Sequence, residues 1–133
     1  MGEPVQLTEL QLDIMRVLWV RGEATVADIC RALESERELA LTTVATLLSR
    51  LEKRGVVAHE TRARQFVYRA LVSEAEVRHS MVHELTERLF DGNVADLLTH
   101  LVTERQISVG DLERLKALLD QRTYSRREQS HES

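Results

Sequence analysis

Thr43, Thr46 and Arg50 stand three and four positions apart, the spacing that puts side chains on one face of a helix. Thr42 and Lys53 lie beside them. A threonine hydroxyl can bond a phosphate or a base edge while its methyl packs on thymine, and an arginine fork can bind guanine O6 and N7 together. Arg62 and Arg64 follow in a β-favouring stretch, with Arg69 just beyond it. A rigid ribbon there would hold cations against phosphates or in a minor groove. The chemistry implied is non-covalent reading of duplex DNA.

The distribution of charge agrees with that reading, although the whole chain of 133 residues carries a net charge of −4. Residues 1–40 and 71–133 are each net −4, and residues 41–70 are net +4. A local cluster of cations can capture the DNA backbone even on an acidic protein, and acidic flanks weaken non-specific binding.

Other chemistry is less well supplied. His79 and His83 are four apart on a predicted helix, with Glu76 and Glu87 extending the strip, so they are the candidate metal ligands. A metal site needs three or four converging ligands, and two imidazoles on a solvated face fall short of that. The single cysteine, Cys30, has no second thiol to pair with and reads as a small buried side chain. No HExxH, phosphate-binding glycine loop or Gly-x-Ser-x-Gly is present, and no nucleophile stands beside a base. No catalytic residue, cofactor or metal is therefore assigned, and the chain is not expected to be an enzyme.

The elements that must position these residues follow from capping signals and apolar period. Thr8 with Gln11 opens a helix carrying Leu10, Ile14, Val17 and Leu18, closed by Gly22, with Leu12, Met15 and Trp19 as a second strip. Thr25 caps a short second helix with Val26, Ile29 and Leu33 on one face. A third helix from about Leu41 turns Val44, Leu47, Leu48 and Leu51 inward and ends at Gly55. The period then changes to that of a two-stranded hairpin whose tip is Thr61-Arg62-Ala63-Arg64. Helix, helix, turn, helix and basic hairpin is the layout of a winged helix-turn-helix, with the third helix as reader.

Three more amphipathic helices follow, opened by Ser73, Asn93 and Ser108. Their apolar positions, Met81, Leu85, Leu97, Leu101, Leu112, Leu115, Leu118 and Leu119, are too many for the protein available to bury, so they are the expected dimer interface. The expected organisation is a mainly α fold with a small β-hairpin: a winged helix-turn-helix at 1–71, dimerisation helices at 72–122, and a disordered polar tail at 123–133. No stretch reaches the roughly 18 apolar residues that span a bilayer, and the N-terminus lacks a secretion signal. A cytoplasmic protein without a membrane partner is expected.

Four segments together resemble the penicillinase-repressor family of BlaI, MecI and CopY: LTELQLDIMRVLW from Leu7, ATVADI from Ala24, LTTVATLLSRLEKRGVV from Leu41, and FVYRALVSEAE from Phe66. The spacing between segments fits as well as each segment. The resemblance implies a homodimeric repressor on a dyad-symmetric operator, with its reading helix at Thr42 to Leu51 and wing arginines at Arg62 and Arg64. For the β-lactam branch it implies release when a signal-activated protease cuts the dimerisation helices, near His100-Leu101 here. The branch's Asn-Phe pair is replaced by that His-Leu, and the Cys-x-Cys motifs of the copper branch are absent. Two other readings remain open from the residues: a winged-helix regulator released by a small ligand or metal, and a winged-helix protein-interaction module.

Overall fold

Five of the six helix starts are fixed by short side chains that satisfy the N–H groups a helix leaves open. Thr8 and Gln11 exchange hydrogen bonds of 3.2 and 3.0 Å, and Thr25 and Asp28 do so at 3.1 and 3.0 Å. Ser73 accepts from the Glu76 N–H at 3.0 Å, Asn93 from Asp96 at 3.1 Å, and Ser108 from Asp111 at 3.0 Å. The computed structural model describes residues 5–131, with side chains through 122. The elements that result are α1 (Glu9–Arg21), β1 (Ala24–Thr25), α2 (Val26–Leu33), α3 (Leu41–Lys53), β2 (Val57–Arg62), β3 (Gln65–Ala70), α4 (Glu74–Phe90), α5 (Val94–Thr103) and α6 (Val109–His131).

Two features depart from the expected layout. The wing is a three-stranded antiparallel sheet in the order β1-β3-β2, because Ala24 and Thr25 pair with Tyr68 and Val67. A two-residue strand is too short to show alternation, so its sequence gives no period to detect. The backbone of α6 continues to His131, past Thr123, where the sequence reading places a disordered tail; residues 132 and 133 lie outside the described residues.

Contacts divide the chain into a unit ending at Leu85 and a second beginning at Thr86. The first unit is larger because α4 contributes to its core: Val77 is buried and Met81 packs against it. Met81 therefore packs in part against the core of its own chain and stays half-exposed. The rest of that core includes Ile14, Met15 and Leu18 from α1, Ile29 and Leu33 from α2, Val44, Leu48 and Leu51 from α3, and Val57 and Tyr68 from the sheet. Burying each of the large aliphatic side chains contributes about 1.5–3 kcal/mol before the entropy of ordering is subtracted. Trp19 is half-buried beside them and donates its indole N–H to the Val72 carbonyl at 2.9 Å. Cys30 also packs partly buried against this core.

The second unit holds α5, α6 and the end of α4. Asp91 and Gly92, both at positive φ, break α4, and the Gly92 N–H is taken up by the Thr86 carbonyl at 3.0 Å. No residue of α5 is buried.

Candidate nucleic-acid interface

The third helix is fixed from beneath and finished sharply. Val44, Leu48 and Leu51 are wholly buried, which forces the opposite face outward. At its end Gly55 takes a φ of 77°, so that the Val56 N–H reaches the Leu51 carbonyl at 3.0 Å and the Gly55 N–H reaches Glu52 at 3.0 Å. This is the paired arrangement a left-handed residue makes possible after a helix, and it turns the chain directly into β2.

Thr42, Thr43, Thr46, Ser49, Arg50 and Lys53 are all exposed along α3, so the predicted reading residues do share the outward side of one helix. Thr46 Oγ1 donates to the Thr42 carbonyl at 2.8 Å, a local bond typical of threonine within a helix. The helix opens at Ala40 with no side-chain cap. The Thr43 N–H turns back to the Ala40 carbonyl at 3.1 Å, which leaves the Leu41 and Thr42 N–H groups to solvent or to an incoming acceptor.

The wing lies beside this helix. Strand β2 pairs with β3 from Val57 opposite Ala70 to Arg62 opposite Gln65, leaving a two-residue turn of Ala63 and Arg64. Both have positive φ, 48° and 66°, as hairpin turns of this length require. Arg64 is therefore in the turn itself.

The cations of the two elements differ in their surroundings. Arg50, Lys53 and Arg64 make no ion pair among the described residues, so their charges stand open. Arg62 is fully engaged: its two terminal nitrogens donate to the two Glu23 oxygens at 2.6 and 2.9 Å, and it also pairs with Glu60. Hydrogen bonds from Arg62, aided by its charge, hold the Glu23 carboxyl below its usual range, and the bonds to Glu23 and Glu60 raise the guanidinium further.

A separate polar tie links α3 and the wing. His59 Nδ1 on β2 lies 2.5 Å from Glu52 Oε1 on α3, and the imidazole stacks on Phe66 with centroids 4.0 Å apart and planes 20° apart. Burial, with the nearby Glu52 charge, pushes the Tyr68 hydroxyl up. Between helix and wing runs a groove lined by Val26, Ala45, Ser49, Lys53, Arg64 and Phe66. Sequence reasoning missed Glu23, Glu52 and His59, because each acts through a partner distant in sequence or across a turn.

The remaining predicted residues are placed as follows. His79 and His83 are exposed with rings 6.3 Å apart, and among the described residues no third His, Cys, Asp or Glu joins them in a group able to hold a metal. Leu85, Leu112, Leu115, Leu118 and Leu119 are exposed, and Leu97 and Leu101 are half-buried. The His100-Leu101 bond lies inside α5. No helix of the described residues is long and apolar enough to cross a membrane.

The profile that describes the family "Penicillinase repressor" matches residues 7–121. The chain belongs to the penicillinase-repressor family. Among its relatives, an uncharacterized 16.5 kDa protein in the ptsI 3' region of Latilactobacillus sakei is 29% identical over 114 residues, which cover 86% of this chain and 78% of that protein. The penicillinase repressor of Bacillus licheniformis is 22% identical over 123 residues, covering 92% of this chain and 96% of the relative. The solution structure of the DNA-binding domain of the repressor BlaI is similar with a TM-score of 0.50 and 26% identity, over 57% of this chain and 93% of that one. For a penicillinase-repressor family member, the mainly α winged-helix architecture is the one the residues led us to expect.

Proposed function

We propose that this chain is a DNA-binding transcriptional repressor that acts as a homodimer on a dyad-symmetric operator, with α3 in the major groove and the wing on the flanking backbone. The observation that carries the reading is the outward side of α3, where exposed hydroxyls and the unpaired Arg50 and Lys53 lie beside a wing that displays Arg64. Hydroxyls and an arginine fork supply base contacts, and open cations supply phosphate contacts. The uncapped start of α3 adds N–H groups suited to a phosphate oxygen. Membership of a family whose relatives include a penicillinase repressor, and likeness to the DNA-binding domain of BlaI, support the same reading.

Two-fold pairing is supported by the second unit, where Val94, Leu98 and Val102 of α5 and Leu112, Leu115 and Leu118 of α6 are all more than 40% exposed. Leucine in such numbers on water-facing helices marks a surface that a partner covers. Anything that separates the paired helices lowers operator occupancy, and cutting near His100-Leu101 would be one such event.

The test is a binding isotherm on a duplex carrying the promoter of the chain's own gene, repeated across salt concentrations. The logarithm of affinity is expected to fall steeply and linearly with the logarithm of salt. Arg50→Ala is expected to cost about 1–3 kcal/mol on the preferred sequence and to relax base choice. Unchanged specific affinity in that variant would remove α3 as the reader.

A further inference from the structure

Arg62 and Arg64 sit two positions apart on one hairpin, yet their settings are opposite. Arg62 belongs to the outer strand β2 and Glu23 immediately precedes the other outer strand, β1, so their bidentate pair straddles the central strand β3. Glu60, two residues back on β2, closes on the same guanidinium. The three side chains carry a net charge of −1. A phosphate approaching Arg62 would have to displace a fork-to-carboxylate pair and then face two released carboxylates. Among the described residues Arg64 has no such partner; it is exposed and is held at the tip by a turn whose two residues both occupy the left-handed region.

We propose that Arg62 is a positioning residue that ties the wing across its sheet to Glu23, and that Arg64 is the cation the wing offers to a DNA phosphate. The proposal rests on the DNA-binding reading above. It divides two arginines that the sequence treats alike: one fixes where the ribbon stands, and the other meets the polyanion. Glu23 then belongs to the interface without touching DNA, because it holds the residue that holds the wing.

The experiment uses the full chain and the promoter duplex of the preceding section, with Arg62→Ala, Glu23→Gln, the double variant and Arg64→Ala compared across salt concentrations. All these positions are exposed, and thermal melting of each variant checks that the fold is kept. Arg64→Ala is expected to reduce the salt slope by about 0.9 per subunit, the value for one lost phosphate contact. Arg62→Ala and Glu23→Gln are each expected to weaken binding by about 2–5-fold, in the range of an exposed pair, with the slope unchanged and the double variant no weaker than either. Without DNA, the backbone amide heteronuclear NOEs of residues 60–66 are expected to fall in both single variants. A drop in slope on Arg62→Ala as large as that on Arg64→Ala, with tighter binding by Glu23→Gln, would overturn the assignment and make Arg62 the phosphate contact. If the unaltered protein shows no salt-dependent binding to any duplex, the DNA-binding reading fails. The tie itself is then judged by the NOEs, and a Glu23→Gln wing as rigid as the original overturns it.

Discussion

The two units of this chain are built on the same device, a row of leucines and valines at helical spacing, and come to opposite ends. In the unit up to Leu85, Ile14, Met15, Ile29, Val44, Leu48 and Leu51 are completely shielded from water. In the unit from Thr86, Leu112, Leu115 and Leu118 leave 41–57% of their surface exposed, and α5 buries nothing fully. The difference lies in geometry more than in composition. Three helices and a sheet can enclose a volume, whereas the α5 and α6 faces need more apolar surface than the second unit supplies. The same periodic signal therefore means a finished core in one place and an unfinished one in the other.

That contrast can be broken most forcefully in the finished half. Leu48→Ala is expected to cost about 3–4 kcal/mol, as large-to-small changes in packed cores do, and urea unfolding would measure it. The cost should be the same at every protein concentration. Leu115→Glu probes the unfinished half: it should convert the proposed dimer to monomer in sedimentation, and remove the rise of melting temperature with protein concentration expected of the original chain. An unaltered dimer would exclude that face from the interface. A smaller effect separates local from assembly stability. Asp28 is held below its ordinary pKa mainly by the Thr25 N–H and hydroxyl, with Arg21 and Arg31 adding to this. A carboxyl with a lowered folded pKa contributes stability above its unfolded pKa and loses it as pH falls through the folded one. Asp28→Asn should thus be less stable by about 0.5–1 kcal/mol at neutral pH, the worth of a hydrogen bond. The gap should close on acidification below the carboxylate range, as read by melting curves at successive pH values. The smallest effect is expected at Arg105, which takes a φ of 57° while the Gln106 N–H bonds the Leu101 carbonyl at 2.9 Å. Arg105→Gly relieves a left-handed non-glycine residue and should stabilise the second unit by about 0.5 kcal/mol in the same melts.

What could be read from the sequence divides along the same physical line. Thr8, Thr25, Ser73, Asn93 and Ser108 bond N–H groups three residues on, so their capping roles are written in local spacing. The inward and outward faces of α3 follow from period in the same way, and with them most of the proposed reading residues. The turn at Ala63 and Arg64 was harder, because neither residue is the glycine or asparagine that ordinarily signals positive φ. The Arg62 pair with Glu23 joins residues 39 positions apart, and no local pattern records it. Hence the wing's basic character was legible, while the difference between its two arginines was not. Met81 shows the converse limit, since its place on an apolar strip follows from period but its partial packing against the core of the chain does not.

In the proposed reading, where α3 enters a groove, the bond from the Thr46 hydroxyl to the Thr42 carbonyl bears on the sequence beneath it. Having given its proton inward, that oxygen meets a base only as an acceptor, with a methyl group beside it. It can take a hydrogen from the exocyclic amine of adenine or cytosine, and the methyl can rest on thymine, but it has none to give to guanine O6 or N7. In that reading, the position under Thr46 favours a base edge that offers an amine hydrogen or a thymine methyl over one that needs a donated hydrogen, before any arginine has made its choice.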